Sequence, residues 1–181
     1  MNQDSFLIMT NVLGLSGFCI LGVFDGHGTF GHLVSDYVKK FFENYFRNFD
    51  NYTNSKSQLI LTSEDVYKKI VDNNYNLLYN AFTTCENSLS KEVDFDTRLS
   101  GTTSILVICV GENLICANAG DSRAMMSSKT GIKNLSYDHK PEKHEEKVRI
   151  LKAGGKVHPT KELGKFVGPC RVWVSSGDYP G

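Results

Sequence analysis

The sequence predicts an α+β fold in which hairpin-linked, mainly antiparallel strands accompany long helices. Two amphipathic helical stretches follow each other between residues 33 and 89, and apolar strand-like runs lie before and after them. Because strands and helices do not alternate along the chain, a doubly wound parallel fold is not favoured. The 181 residues, 40% hydrophobic and 22% charged, are typical of one ordinary globular domain.

The first half of the chain begins with two apolar runs, at 6–9 and 18–24, that predict an antiparallel pair of strands. Apolar residues at three- and four-residue steps then predict a helix over 33–49. Polar residues at 48–57 indicate a loop. A second helix, with a stripe of apolar residues, is expected to begin near Ser63, whose hydroxyl is a suitable cap.

The second half opens after a charged connection and is richer in strands than the first. Runs of β-branched and apolar residues separated by turn residues predict hairpins. A third helix is expected from Pro141, which suits the first position of a helix, to Ala153, where two glycines follow. The predicted strands are 102–110, 114–119, 124–127, one around Val157 and one at 172–174, with turns at 111–113 and 129–131 and a Gly/Pro-containing loop before the last strand.

The charge balance and the cysteines indicate which partners the protein can bind and in which cellular compartment it lies. Twenty basic residues balance twenty acidic ones, which gives no electrostatic footprint for nucleic acid. The five cysteines form no Cys-x-x-Cys pair, which favours free thiols in a reducing compartment. We find neither a secretory signal nor an apolar run approaching the roughly 20 residues of a membrane helix. We therefore expect a cytoplasmic or nuclear protein without nucleic-acid or membrane partners.

The stretch Asp25-Gly26-His27-Gly28 follows the second predicted strand and carries the first candidate site residues. The Asp25 carboxylate and a neighbouring backbone carbonyl can bind a hard cation, and glycines allow the backbone to approach a ligand closely. His27 can donate a proton near neutral pH. The alternative is a simple strand-ending turn, since Asp-Gly is common in turns.

Asp4, Asp25 and Asp121 share a context, because each lies at the end of a predicted strand or in the turn beside it. Carboxylates gathered in this way suit Mg²⁺ or Mn²⁺, which prefer oxygen ligands. The sequence contains no HExxH, paired Cys-x-x-Cys, EF-hand, P-loop or GxSxG motif. The leading interpretation is a divalent-cation hydrolase of phosphate esters.

A rival motif overlaps the same stretch. Residues 26–31 formally match GxGxxG after a strand and before a helix, as in dinucleotide-binding folds. Such a fold would next need a parallel strand ending in an acidic residue, whereas this chain continues into a loop and a second long helix. The dinucleotide interpretation is therefore the weaker one.

Five segments together resemble the metal-dependent protein serine/threonine phosphatases, the PPM or type 2C family. The resemblance implies a sandwich of two antiparallel β-sheets flanked by α-helices (αββα). It covers residues 2 to about 174, and DGHG and GDSR are specific in combination. The segments are NQDSF, VFDGHGTFG, SGTTSILVI, NAGDSRAMM and DHKPEKHEEKVRILKAGGKV.

The resemblance also implies roles for individual residues. Asp25 resembles the aspartate that bridges two metal ions, and Gly26 the residue whose carbonyl binds one of them. Asp4 resembles an acidic residue acting on a metal or its water, and His27 the proposed general acid. Asp121 resembles a ligand of a third, weaker metal ion. Two supporting positions are implied as well, Gln3 near the metals and the hydroxyl of Thr103.

The implied reaction uses two or three Mg²⁺ or Mn²⁺ ions and a metal-activated water that attacks phosphorus in line. The implied substrates are phosphorylated proteins, and the oligomeric state stays open.

For other notable residues, which take no part in the implied reaction, we expect supporting roles. Arg123 pairs with a carboxylate and holds the Asp121 turn, His139 supports a loop, 144–146 form a solvated helix face, and Trp173 lies in the core.

The family pattern extends beyond both ends of this sequence. We therefore expect residues 1–181 to form a single partial domain that lacks the first strand, its phosphate-binding arginine and the C-terminal metal-binding aspartates. The chain as given is expected to have little phosphatase activity, although the family consists of enzymes. A pseudophosphatase-like module that binds a partner without hydrolysis is the alternative.

Overall fold

The computed structural model describes residues 2–49 and 62–175. Most of the predicted 48–57 loop lies outside these residues. In chain order the elements are β1 Ser5–Met9, β2 Phe18–Phe24, β3 Gly26–Gly28, α1 Gly31–Arg47, α2 Ser63–Glu92, β4 Ser100–Thr102, β5 Ser104–Val110, β6 Asn113–Ala119, β7 Met125–Ser128, β8 Gly131–Asn134, α3 His144–Lys152, β9 Lys156–Glu162 and β10 Lys165–Trp173.

The largest sheet has the strand order β1-β2-β5-β6, and three two-stranded sheets pair β3 with β4, β7 with β8, and β9 with β10. Every one of these pairings is antiparallel. The predicted α+β class with antiparallel sheets is confirmed. The dinucleotide interpretation is wrong, because strands joined by a crossover helix would have to run parallel.

The core lies between one face of the large sheet and helices α1 and α2. Alternate residues of β2, among them Phe18, Ile20 and Phe24, are fully buried on this face. The Phe24 ring stacks on Phe42 of α1 at 6.2 Å, and Phe42 contacts Phe82 of α2 at 4.9 Å. These aromatic contacts attach both helices to the end of β2, where the DGHG stretch begins.

The opposite face of the large sheet is apolar and exposed in the described part of the chain. Phe6 and Ile8 of β1 are 66% and 63% exposed, and Leu21 and Val23 of β2 lie beside them. The alternation that buries one side of each strand therefore presents large apolar side chains on the other.

Helix α2 begins at Ser63, one residue earlier than it would if Ser63 were the cap. The cap is Thr62, whose Oγ1 accepts the backbone N–H of Asp65 at 3.2 Å, while the Asp65 carboxylate accepts the Thr62 N–H at 2.9 Å. This reciprocal capping box needs an acidic residue three positions after the hydroxyl, and Ser63 has Val66 there. The expected capping role of Ser63 was wrong.

Helix α3 begins at His144 rather than at Pro141. Residues 140–143 form a turn, closed by the Lys143 N–H donating to the Lys140 carbonyl at 2.9 Å. Pro141 therefore lies in the turn before the helix and not in its first helical turn. Residues 144 and 145 are exposed as expected, whereas Glu146 is partly buried and accepts hydrogen bonds from Arg149.

Three strand predictions also need correction. The expected strand 102–110 is divided at Thr103 into β4 and β5, which belong to different sheets, and β8 starts within the expected 129–131 turn. The final hairpin turns at Leu163-Gly164, whose φ angles are 48° and 82°. Gly168 and Pro169 lie inside β10 at a register shift rather than in a loop.

Two smaller expectations, a buried Trp173 and free cysteines, are confirmed. Trp173 is buried, and all five cysteines are free thiols. Among the helices of the described residues, none has the length and apolar character required to cross a membrane.

Candidate active site

The strand register brings Asp4 and Asp25 together. β1 pairs with β2 so that Ser5 lies opposite Phe24, and Asp4 and Asp25 are the next residues beyond this pair. Their carboxyl groups are close enough for a hydrogen bond between them. Two residues that are far apart in sequence thus place their oxygens at one end of the large sheet.

Asp121 reaches the same end of the sheet from β6. Ser104 at the start of β5 pairs with Ala119 at the end of β6, so the chain leaving β6 passes the Asp25 turn. The negative charge of Asp121 acts directly on Asp25. Asp4, Asp25 and Asp121 therefore lie toward the same end of the large sheet.

Burial and the two neighbouring carboxylates together make Asp25 a weaker acid. Partial burial raises the pKa of Asp25 above its ordinary value, and the charges of Asp4 and Asp121 and the hydrogen bond with Asp4 raise it further. Like charges near one another disfavour ionisation, and a bound cation would remove that cost. The cluster is thus electrostatically suited to a positive ligand.

The donor set fits a hard divalent cation that keeps part of its water shell. Within residues 2–49 and 62–175, no three His, Cys, Asp or Glu side chains converge closely enough to enclose an ion by themselves. Mg²⁺ is usually held by one or two carboxylates with several retained waters. Asp4, Asp25 and the Gly26 carbonyl would meet that requirement, and Asp121 would serve a separate position.

The backbone at Gly26 is closely packed against Gln3. A Cβ atom added to Gly26 would lie 2.4 Å from the backbone oxygens of Gln3 and Gly31. The Gln3 amide donates to the Gly28 carbonyl at 3.0 Å, and Ser35 Oγ donates to the Gln3 carbonyl at 2.6 Å. Gln3 therefore supports the DGHG backbone, where only glycine fits at position 26.

His27 lies in β3 against Gly101 of β4, its partner in the strand register. A Cβ atom on Gly101 would come within 2.8 Å of His27 Nε2. Burial of this packed side lowers the pKa of His27, and the positive charge of Arg171 lowers it further. The carboxylates of Asp25 and Asp121 act in the opposite direction.

Contacts from the loop before α3 hold the Asp121 turn. The Arg123 guanidinium donates to both carboxylate oxygens of the buried Asp138, at 2.8 and 2.6 Å. The Gly120 N–H donates to His139 Nδ1 at 3.3 Å, and the His139 N–H donates to the Gly120 carbonyl at 3.0 Å. The supporting roles predicted for Arg123 and His139 are confirmed.

Sequence reasoning missed three residues at this site. Ser122 contacts the Thr103 hydroxyl at 2.6 Å, Gly101 packs on the His27 ring, and Arg171 faces His27 from β10. For Ser122, its place inside the GDSR motif was an available signal. Gly101 lies inside the SGTTSILVI segment, which offered a similar signal. Arg171 carries no local signal, because its relation to His27 depends on long-range folding.

The chain is similar to known proteins in both sequence and structure. The sequence model of the family described as Protein phosphatase 2C matches residues 16–171 of this chain. The chain belongs to the protein phosphatase 2C family. The match includes the DGHG and GDSR segments, so the interpretation of residues 25–28 as only a strand-ending turn is no longer favoured.

Curated relatives in the protein phosphatase 2C family are longer than this chain. "Probable protein phosphatase 2C 35" of Arabidopsis thaliana is 29% identical over 99% of the chain and 52% of its own length. "Probable protein phosphatase 2C 65" of the same plant is 30% identical, over 99% and 48%. The chain thus spans about half the length of these relatives.

Solved structures show the same fold. Serine-threonine phosphatase 2C from Toxoplasma gondii superimposes with a TM-score of 0.57 at 22% identity, covering 87% of this chain and 52% of that one. A Caenorhabditis elegans sex determining protein gives 0.58 at 20% identity, covering 100% of this chain and 41% of that one. At these identities the likeness concerns the fold alone.

Proposed function

We propose that this protein phosphatase 2C chain acts in the hydrolysis of phosphoserine and phosphothreonine in proteins, with Mg²⁺ or Mn²⁺ as cofactor. The main support for this proposal is the register of β1 and β2, which places Asp4 beside Asp25 at the start of DGHG. Family membership supports a protein phosphatase. Two or three bound ions would neutralise phosphate oxygens and lower the pKa of a bound water.

Different residues of the chain would bind the metal ions and donate the proton. Asp4, Asp25 and the Gly26 carbonyl would hold the ions nearest the substrate, and Asp121 would hold a further one. His27 would donate a proton to the serine or threonine oxygen as it leaves. Burial and the charge of Arg171 lower the pKa of His27 and so disfavour the protonated imidazole that this requires, whereas the Asp25 and Asp121 charges favour it.

A second candidate is a module that binds phosphoproteins without hydrolysing them. It is favoured by the finding that no three potential ligand side chains enclose an ion within the described residues. In this case Asp4 and Asp25 would be retained from an active ancestor. We propose a cytoplasmic or nuclear location for either function, given the five free thiols.

The deciding experiment measures phosphate release from a phosphothreonine peptide by the purified chain, with Mn²⁺ and with EDTA. Because the chain spans about half the length of its relatives, we expect only a low rate of release, which requires Mn²⁺ and is lost in Asp25→Ala. Asp36→Ala is the matched control, because Asp36 lies on α1 and pairs with Lys40 away from the site. Release that persists in EDTA contradicts the metal-dependent reaction, and a folded chain without release favours the binding module.

A further inference from the structure

Arg171 lies near the opposite end of the chain from His27, yet both side chains line one cavity. This cavity has a volume of about 680 Å³, and Gly28 and Gly101 line it as well. His27 belongs to the DGHG stretch and Arg171 to β10. The fold therefore brings a guanidinium to the edge of the candidate active site.

The two arginines that line this cavity differ in their partners. Arg98 is occupied by Asp96, with Nε donating at 2.9 Å and a terminal nitrogen at 2.6 Å. Arg171 is exposed and forms neither an ion pair nor a side-chain hydrogen bond with any other described residue. Within the described residues, its donors therefore have no competing partner.

The strand that carries Arg171 is held in place. Arg171 lies opposite His158 in the β9–β10 pairing. Two residues further on, the Trp173 indole donates to the His158 carbonyl at 2.7 Å, and the Trp173 ring stacks on the His158 ring at 4.7 Å. Since Trp173 is buried, this contact fixes the backbone on which Arg171 stands.

The charges support the same arrangement. Arg171 is near enough to His27, with which it shares the cavity lining, for its positive charge to act on that side chain. The carboxylates of Asp25 and Asp121 also act on His27. An arginine that has no carboxylate partner among the described residues, beside this acidic cluster, is suited to an anion held between it and cations that the cluster would bind.

We propose that Arg171 binds the phosphoryl group of the substrate at the mouth of this cavity, beside His27. The inference rests on the proposed function and adds a substrate-binding residue to it. A planar guanidinium can donate two parallel N–H bonds to two phosphate oxygens, which a lysine cannot do. Arg171 would thus orient the phosphoryl group while His27 faces the leaving oxygen.

The test compares wild type, Arg171→Ala and Arg171→Lys with Lys165→Ala, an exposed cation on the same strand. The substrates are p-nitrophenyl phosphate, which has no flanking residues, and a phosphothreonine peptide, both with Mn²⁺. We expect Arg171→Ala to raise KM about 10-fold for both substrates, because charge-assisted hydrogen bonds are strong. Arg171→Lys should fall between, and Lys165→Ala should match wild type.

A second measurement does not depend on turnover. The anisotropy of a fluorescein-labelled phosphothreonine peptide reports binding to the Mn²⁺-loaded chain, and inorganic phosphate serves as the competitor. We expect Arg171→Ala to weaken both the peptide and inorganic phosphate by about 10-fold. Circular dichroism of each variant verifies that the fold is retained.

The outcomes separate the inference from the proposed function. If wild type and Arg171→Ala bind and turn over both substrates equally, the inference is wrong and the proposed function stands. If only the peptide is affected, Arg171 contacts flanking residues and the phosphoryl contact is overturned. If wild type neither binds nor hydrolyses either substrate, the proposed function itself fails.

Discussion

Thr103 brackets Asp25 through two hydrogen bonds. Its Oγ1 accepts the Asp25 N–H at 3.0 Å, and its own N–H donates to the Asp25 carbonyl at 2.9 Å. The same hydroxyl contacts Ser122 Oγ at 2.6 Å, next to Asp121. One side chain thereby fixes the distance between two turns that carry candidate metal ligands.

Replacing Thr103 should therefore weaken metal binding without removing a ligand. We expect Thr103→Val to lower the Mn²⁺ affinity of the chain by roughly 10-fold, the low end of effects seen for residues that orient metal ligands. Thr103→Ser keeps the hydroxyl and should stay near wild type. Calorimetric titration with Mn²⁺ measures the affinity, and Thr83→Val on α2 is the control; unchanged affinity in Thr103→Val would exclude this role.

Asp25→Asn should stabilise the metal-free chain while removing its response to metal. Because the folded-state pKa of Asp25 is raised, stability is lost as pH rises from the ordinary aspartate pKa through the folded value. At neutral pH the full cost is present, and asparagine removes it. Thermal unfolding should show a melting temperature a few degrees higher without Mn²⁺ and no increase with it. A lower melting temperature in metal-free buffer would contradict this argument.

The Arg123–Asp138 pair should contribute to stability in the opposite pH direction. Hydrogen bonds from Arg123, together with nearby positive charges, lower the pKa of Asp138. Its contribution is therefore complete above the ordinary aspartate pKa and is lost as pH falls through the lowered value. Urea unfolding of wild type across the acidic range should show this loss.

Asp138→Asn should show a shallower acid dependence than wild type, because the ionisable partner is gone. Arg123→Ala should destabilise the chain at neutral pH, since it leaves the Asp138 carboxylate without its main partner. Asp36→Asn, at a half-buried site on α1, serves as the control. Identical acid profiles for wild type and Asp138→Asn would show that the pair contributes nothing.

Gly101→Ala should displace the His27 ring. The added methyl group would lie 2.8 Å from Nε2 and 3.0 Å from Cε1, so the imidazole must move. In the proposed function His27 donates a proton and holds no metal ion, so we expect kcat to fall about 10-fold or more with little change in Mn²⁺ affinity. Stopped assays on the phosphothreonine peptide measure kcat, and Thr130→Ala in an exposed turn is the control. An unchanged kcat would mean that His27 is not held where it acts.

The long elements could be predicted because burial marks them periodically. Apolar residues every second position identify β2, and steps of three and four identify α1 and α2. The three carboxylates could be predicted to lie near one another because each follows or precedes a strand. Their position at a common sheet end follows from the register, which the hydrophobic pattern determines.

The remaining features depend on contacts that local patterns do not encode. β3 has the sequence Gly-His-Gly, which shows no alternation, and it becomes a strand only by pairing with Ser100–Thr102. The choice of Thr62 over Ser63 as cap depends on Asp65 three residues later. The approach of Arg171 to His27 requires the whole chain to be folded.

The exposed apolar side of the large sheet bears on every solution measurement of this chain. Phe6 and Ile8 form part of a surface that water solvates poorly, and such surfaces favour self-association. At the concentrations used for calorimetry or NMR, copies of the chain would adhere through this face. Apparent affinities would then vary with protein concentration, so a dilution series monitored by light scattering belongs before any titration.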